Sequence, residues 1–358
     1  MENVIRKTQR DSNVELLRII SMILVLVSHA SYTSLYPPTQ EFISNSFGDA
    51  FLRGMSESLS KVCVNVFILI SGWYGIKTRL NRFAELIFQA LFISICLYLI
   101  MRMLGLTRTI SMNEWVELLL FKHKGYWFVR AYIILYIFTP ILNAFVDHVS
   151  RNQLKAFLIA FFTAQFVYGF YHYGGWYAGG YSPLSFMGLY MLARYMRLYP
   201  NKYTQYNKCI DLSLYLIISF FTTVCCLIIT FIFDKGGTVL LLYSSPLVIL
   251  SSVFFFLPFT KFSFHSRFVN WVAASCFAVY LIHTTPFIIH PYYIDMVSCW
   301  YETEIRTIFM IKTLELMSFY FIFSICFDQV RYLLWKFCSH LFYKCNIAND
   351  SSLSQKLF

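Results

Sequence analysis

Arg18 and His29 are the residues whose types and spacing point most directly to chemistry. Both are ionisable, and both lie in an apolar segment, Val14 to Ala30. An arginine at hydrocarbon depth is costly, so such residues mark pathways or sites. Eleven positions at about 100° per residue bring His29 within some 20° of Arg18 around a helix, and the rise of about 1.5 Å per residue sets them roughly 16 Å apart along its axis. Glu15, Met22 and Val25 share that face. A permanent guanidinium suits a pyrophosphate or carboxylate, while a neutral imidazole can take a proton from a hydroxyl. Ser28 and Ser31 make the surroundings of the histidine polar, and the nearest partner for Arg18 is Glu15, three residues back.

Other groups are weaker taken singly. Arg79 and Arg82 lie in the short turn Ile76–Phe83, spaced to sit on one side of a helix start, where forked donors suit phosphate oxygens. The same two residues also serve simply to fix topology. Ser71-Gly72-Trp73 closes an apolar run, and its glycine permits a break, a close ligand approach or tight helix packing. Tyr126-Trp127-Phe128 opens another run and reads equally as an interfacial aromatic belt. Tyr280-Leu281-Ile282-His283 places a second histidine at a depth comparable to His29, with Pro286 and His290 following. Two such histidines on separate helices can line one cavity.

The elements that must position these residues are transmembrane helices. Of 358 residues, 58% are hydrophobic and only 13% charged, against roughly a quarter charged in soluble domains. Apolar runs near the spanning length of about 20 residues recur throughout. Ten spans are expected: Val14–Tyr32, Ser60–Tyr74, Phe83–Met103, Tyr126–Val146, Leu154–Tyr171, Pro183–Leu198, Leu212–Phe233, Thr238–Phe259, Phe268–His290 and Thr307–Leu334. The second is short and carries Gly72 near its end, where a break is expected. The fold class is thus all-α, a polytopic transmembrane helical bundle with both termini cytoplasmic. It occupies residues 1–334, followed by a short basic and polar cytoplasmic tail, residues 335–358.

The net charge of +11 fits this topology. Lys77, Arg79, Arg82, Arg151, Lys155, Arg194 and Arg197 fall in alternate connections, and Lys336, Lys344 and Lys356 lie in the tail, the distribution of a positive-inside bias. A nucleic-acid binder would instead carry its basic residues along one solvated face. Arg6, Lys7 and Arg10 precede a first segment too long, and interrupted by Arg18, for a cleaved leader, so that segment reads as the first span. One outer loop breaks the bias with Arg102, Arg108, Lys122 and Lys124, and Arg130 just inside the next span; this surface suits an anionic acceptor, or is scatter. The outer loop Tyr171–Ser182 is aromatic and glycine-rich with no basic residue. The ten cysteines lie mostly within apolar runs and lack paired spacing, so neither metal nor disulfide framework is expected.

Taken together, the Arg18 to His29 spacing, Ser71-Gly72-Trp73, Arg79-x-x-Arg82, the Trp127 segment running into Tyr136 and Thr139-Pro140, and Phe277 to His283 resemble the integral-membrane acyltransferase-3 family in order and spacing, over essentially Val14 to Leu334. The resemblance implies O-acylation, typically acetylation, of a cell-surface or lipid-linked saccharide from cytoplasmic acetyl-CoA at a bacterial inner membrane. It implies that Arg18 and His29 are essential, His29 as general base, that Arg79 and Arg82 act at the acyl-CoA end, and that Ser71 and Gly72 shape the pore. Trp127, Arg130, Tyr280 and His283 are the expected acceptor contacts. Trp73 stands where the family has Phe or Tyr, and no acidic residue follows His29 before Glu41, so the partner orienting the base must come from elsewhere. Partners are then the acceptor at the outer face and the lipid bilayer, with no obligate protein partner evident. The alternative is a transporter or flippase of a lipid-linked saccharide that makes no bond.

Overall fold

The computed structural model describes residues 11–170 and 175–354, with side chains through residue 337 except that of residue 170. Arg6, Lys7, Arg10, Tyr171 and Lys356 lie outside the described residues, as does the side chain of Lys344. Among the described residues every regular element is helical. Lipid cannot hydrogen-bond backbone groups, so apolar runs of this kind satisfy them within each helix.

Among the described residues, seven helical units are long and apolar enough to cross a membrane. The first, Ser12–Thr33, is α1 (Ser12–Ser28) and a π turn over His29–Thr33. After the short α2 (Gln40–Asn45), α3 (Phe47–Ser60) and α4 (Cys63–Tyr74) stack into one unit, Phe47–Tyr74. α5 (Leu80–Met103) is the third. The fourth, Met112–His148, joins α6 (Met112–Leu119), started by a Ser111–Glu114 capping box, to α7 (Trp127–His148). α8 (Arg151–Gln165) and α9 (Pro183–Leu198) precede the fifth unit, α10 (Lys208–Phe233). α11 (Pro246–Phe256) is flanked by 3-10 turns in the sixth, Gly237–Thr260. α12 (Arg267–His283) and α13 (Asp295–Thr303) lead to α14 (Arg306–Ser354), whose apolar part runs Arg306–Phe337.

The predicted spans at Leu154, Pro183 and Phe268 coincide with α8, α9 and α12, helices of 15, 16 and 17 residues. Each is shorter than the roughly 20 residues that length alone requires. The predicted second span begins too late. It starts at Phe47 rather than Ser60, because the buried side of α3 carries Arg53, Glu57 and Ser58 and so reads as polar. α4 runs unbroken through Gly72 and ends at Gly75, whose φ of 72° is left-handed.

The core centres on α1, which packs against α3, α4, α12 and α14, while α4 packs against α9 and α11. The α4–α9 contact is close because Gly72 has no side chain. A Cβ there would stand 2.4 Å from the Tyr190 carbonyl oxygen and 2.8 Å from the Ala193 Cβ. Of the roles open to Gly72 it fills the helix-packing one. Gly72→Ala must therefore push α4 and α9 apart, at about 1–3 kcal/mol. A lowered thermal midpoint of the purified protein checks this, with Gly48→Ala as the neutral control, since nothing lies within 4 Å of a Cβ at Gly48.

Candidate functional site

α1 ends at His29 because the backbone widens there. The π turn bends at Ser31 (φ −89°, ψ −112°), a feature frequent at functional sites. Two carbonyls at this turn also receive side-chain hydroxyls: Tyr293 Oη donates to the Leu26 carbonyl at 2.7 Å, and Ser34 Oγ to the His29 carbonyl at 2.7 Å.

His29 Nδ1 lies 2.8 Å from His283 Nε2. The direction of this bond follows from the next one along. His283 Nδ1 is 2.6 Å from the Val279 carbonyl oxygen, which can only accept, so Nδ1 of His283 carries its proton. In the neutral ring Nε2 is then an acceptor, and His29 Nδ1 must donate to it. That leaves a lone pair on His29 Nε2. The orienting group absent from the sequence around His29 is thus a fully buried histidine 254 positions away. His283 stands behind the base rather than at the expected acceptor contact.

Arg18 and His29 line one cavity of about 320 Å³, together with Ser71, Trp127, Tyr132 and Tyr280. This is at the low end of the range for small-molecule sites, enough for a thin flexible arm. The two regular turns and more of α1 between them keep the helical spacing of roughly 16 Å. Arg18 is paired with Glu15, and its Nη1 donates to both carboxylate oxygens at 2.9 and 3.0 Å. One nitrogen is thereby committed, and the fork stays aimed at the cavity it lines. Ser71 Oγ donates to the Phe67 carbonyl, so the 3.3 Å contact from Tyr132 runs from the phenol to the serine.

The opposite wall hides a charged cluster. Gln89, which lines the cavity, donates to Asp328 Oδ1 at 2.9 Å, and Arg331 grips both oxygens of Asp328 at 2.9 and 2.8 Å. This ties α5 to α14 behind the site. Glu57 is buried beside the base: Ser28 Oγ donates to it at 3.3 Å, and Lys61 bonds it at 3.1 Å. Sequence reasoning missed Glu57, Lys61, Gln89 and Asp328. The signal that could have found Glu57 and Lys61 is their i, i+4 spacing just before an apolar run.

Some expected contacts fall elsewhere. Gly72 faces α9, away from the cavity lining. Arg79 and Arg82 are exposed at the start of α5, also outside the lining; the Arg79 backbone is held by the Tyr136 hydroxyl at 2.9 Å from its nitrogen. Arg130 is a clamp for the preceding loop, its Nη1 donating to the Phe121 and His123 carbonyls at 2.6 and 3.1 Å. The other basic residues of that loop are partly engaged as well: Arg108 pairs with Glu114 and Arg102 with Thr109. With Tyr280 Oη donating to the Gly125 carbonyl, the Arg130 clamp seats Trp127 on the cavity rim. Among the described residues, no three His, Cys, Asp or Glu side chains converge as a metal ion would require.

A multi-pass helical membrane protein with an oriented imidazole and a paired guanidinium lining one cavity is the class this architecture defines. The sequence model of the acyltransferase-3 family, described as an acyltransferase domain, matches residues 11–327, and the chain belongs to that family. The resemblance drawn from the motifs is therefore shown, and the protein is an acyltransferase by family. Comparison with curated proteins and with solved structures gave no match.

The dyad makes a distinguishing prediction. His283→Leu removes the acceptor for His29 Nδ1–H and should lower the turnover rate of acyl transfer about 10²-fold with KM little changed. His283→Gln, whose amide oxygen can accept that proton, should recover much of the rate. Equal losses in both variants would show that His283 does not act by accepting from His29.

Proposed function

We propose that the protein is an O-acyltransferase that moves an acetyl group from cytoplasmic acetyl-CoA to a hydroxyl of a cell-surface or lipid-linked saccharide. The observation that carries this reading is the shared cavity of Arg18 and His29, with the free lone pair of the imidazole fixed by His283. In this reading the protein sits in a bacterial inner membrane with about ten spans and both ends in the cytoplasm, so that the Arg18 end faces the donor.

The geometry supports the following steps. The anionic end of the donor meets Arg18 near the mouth of the cavity, with Arg79 and Arg82 on the exposed surface of the same side adding a positive field. The separation of about 16 Å between Arg18 and His29 matches an extended pantetheine arm, which brings the thioester to the histidine. His29 Nε2 takes the proton of the acceptor hydroxyl as its oxygen attacks the thioester carbonyl carbon. The imidazolium keeps its Nδ1–H bond to the lone pair on His283. The C–S bond then breaks, and the departing thiolate takes the proton back from Nε2. The products are the ester and CoA thiol, with His29 neutral again. General-base help of this kind contributes about 10²–10⁴ in rate, and holding both reactants in one dry cavity supplies much of the remainder.

His29→Ala should abolish transfer while the protein inserts and still binds CoA; substantial residual activity would remove the base role. Arg18→Gln should weaken CoA binding to the solubilised protein at least tenfold. Mass analysis of surface glycans with and without the protein should show one acetyl mass per modified unit. Wild-type protein that binds no CoA would favour transport of a saccharide without bond formation.

A further inference from the structure

Beside His29 the cavity wall forms a corner that the steps above leave unused. Trp127 and Tyr243 both line the cavity, with rings 5.8 Å apart and 29° from parallel. Tyr181 closes the corner, at 4.5 Å from Trp127 and 4.9 Å from Tyr243 between ring centroids. The Lys61 ammonium lies 4.8 Å from the Tyr243 ring centroid and is bonded to Glu57.

The corner is rigid by construction. Asn65 Nδ2 donates to the Tyr243 carbonyl at 3.1 Å, from one turn beyond Lys61 on the same face. On the other side, Gly180 (φ 92°) comes so close that a Cβ would stand 2.5 Å from the Tyr243 Cβ and 2.6 Å from the Ser244 nitrogen. The Ser244 N–H also donates to the Gly179 carbonyl at 3.2 Å. The aromatic, glycine-rich loop is thus folded onto the start of α11 through left-handed glycines, which seats Tyr181 against the other two rings.

We infer that this corner is the acceptor subsite, and that it selects an uncharged polyhydroxylated ring. The inference rests on the acyl-transfer reading. Aromatic faces accept the C–H side of a sugar ring, and a few placed polar groups fix its orientation. The charge state argues for a neutral ring. Lys61 is already neutralised by Glu57, which is 3% exposed. An acidic sugar that captured Lys61 would leave the Glu57 carboxylate buried without its cation, and stranding a buried charge is strongly unfavourable. Glu57 therefore acts as a filter against anionic rings as well as a tether for Lys61.

The test is titration of methyl glucoside and methyl glucuronide into the purified protein, held in a detergent without a sugar head group. Wild type should bind the glucoside at least tenfold more tightly. Glu57→Gln frees the charge of Lys61 and should shift the preference at least tenfold toward the glucuronide, with CoA binding unchanged. Tyr243→Ala, which keeps both members of the Glu57–Lys61 pair, should weaken glucoside binding at least tenfold and serves if Glu57→Gln does not fold. Binding of neither sugar by wild type, an unchanged preference in folded Glu57→Gln, or full glucoside affinity in Tyr243→Ala would each overturn the subsite. Wild type that binds the glucoside but not CoA would instead remove the acyl-transfer reading and leave the corner standing.

Discussion

The bond from His29 to His283 is the constraint on which the rest of the site depends. An imidazole free to rotate would present either nitrogen, or neither, to the cavity. Here the Val279 carbonyl sets the tautomer of His283, and His283 sets that of His29, so a backbone acceptor within α12 decides which atom of α1 is basic. The order is the same as in catalytic triads, with a neutral histidine in the place of the carboxylate. It requires α1 and α12 to stay in register, and Tyr293, reaching the Leu26 carbonyl, holds that register from a third segment.

The walls of the cavity are made in the same manner, by groups that work at second hand. Arg130 and Tyr280 fix the loop before α7, and that loop leads directly into Trp127, the first residue of the helix. Asn65 and Gly180 fix Tyr243. Arg331 holds Asp328, which holds Gln89. Trp127, Tyr243 and Gln89, which meet the cavity, are thereby each backed by a residue that does not, the arrangement that holds groups to the tolerances catalysis needs.

Much of this architecture was legible in the sequence, for physical reasons. Apolar runs in lipid must be helical, so most helices could be placed within a few residues. The face shared by Arg18 and His29 and the Arg18–Glu15 pair follow from helical periodicity alone. What escaped has equally physical causes. α3 buries a polar side against the bundle, which hydropathy scores as exposed. The link between His29 and His283 is a contact across 254 positions, and no local pattern encodes it. Arg130 and Gly72 were recognised as unusual, but whether a lone cation or glycine serves a ligand or its own fold depends on neighbours that only the tertiary structure supplies.

Three of the buried carboxylates, Glu15, Glu57 and Asp328, share one further property. Glu15 with Arg18, Glu57 with Lys61 and Asp328 with Arg331 are each three or four residues apart, within one helical unit. Each pair is complete as soon as its own turn of helix has formed. A lone charged residue at the centre of a spanning segment costs about 2.5–3.5 kcal/mol on entering the membrane, and a partner on another helix could not offset that until the bundle had assembled. These three pairs can therefore leave the ribosome and enter the bilayer with their charges already cancelled, so Arg18 does not have to await assembly. Biosynthesis and chemistry are kept from competing over the same residues.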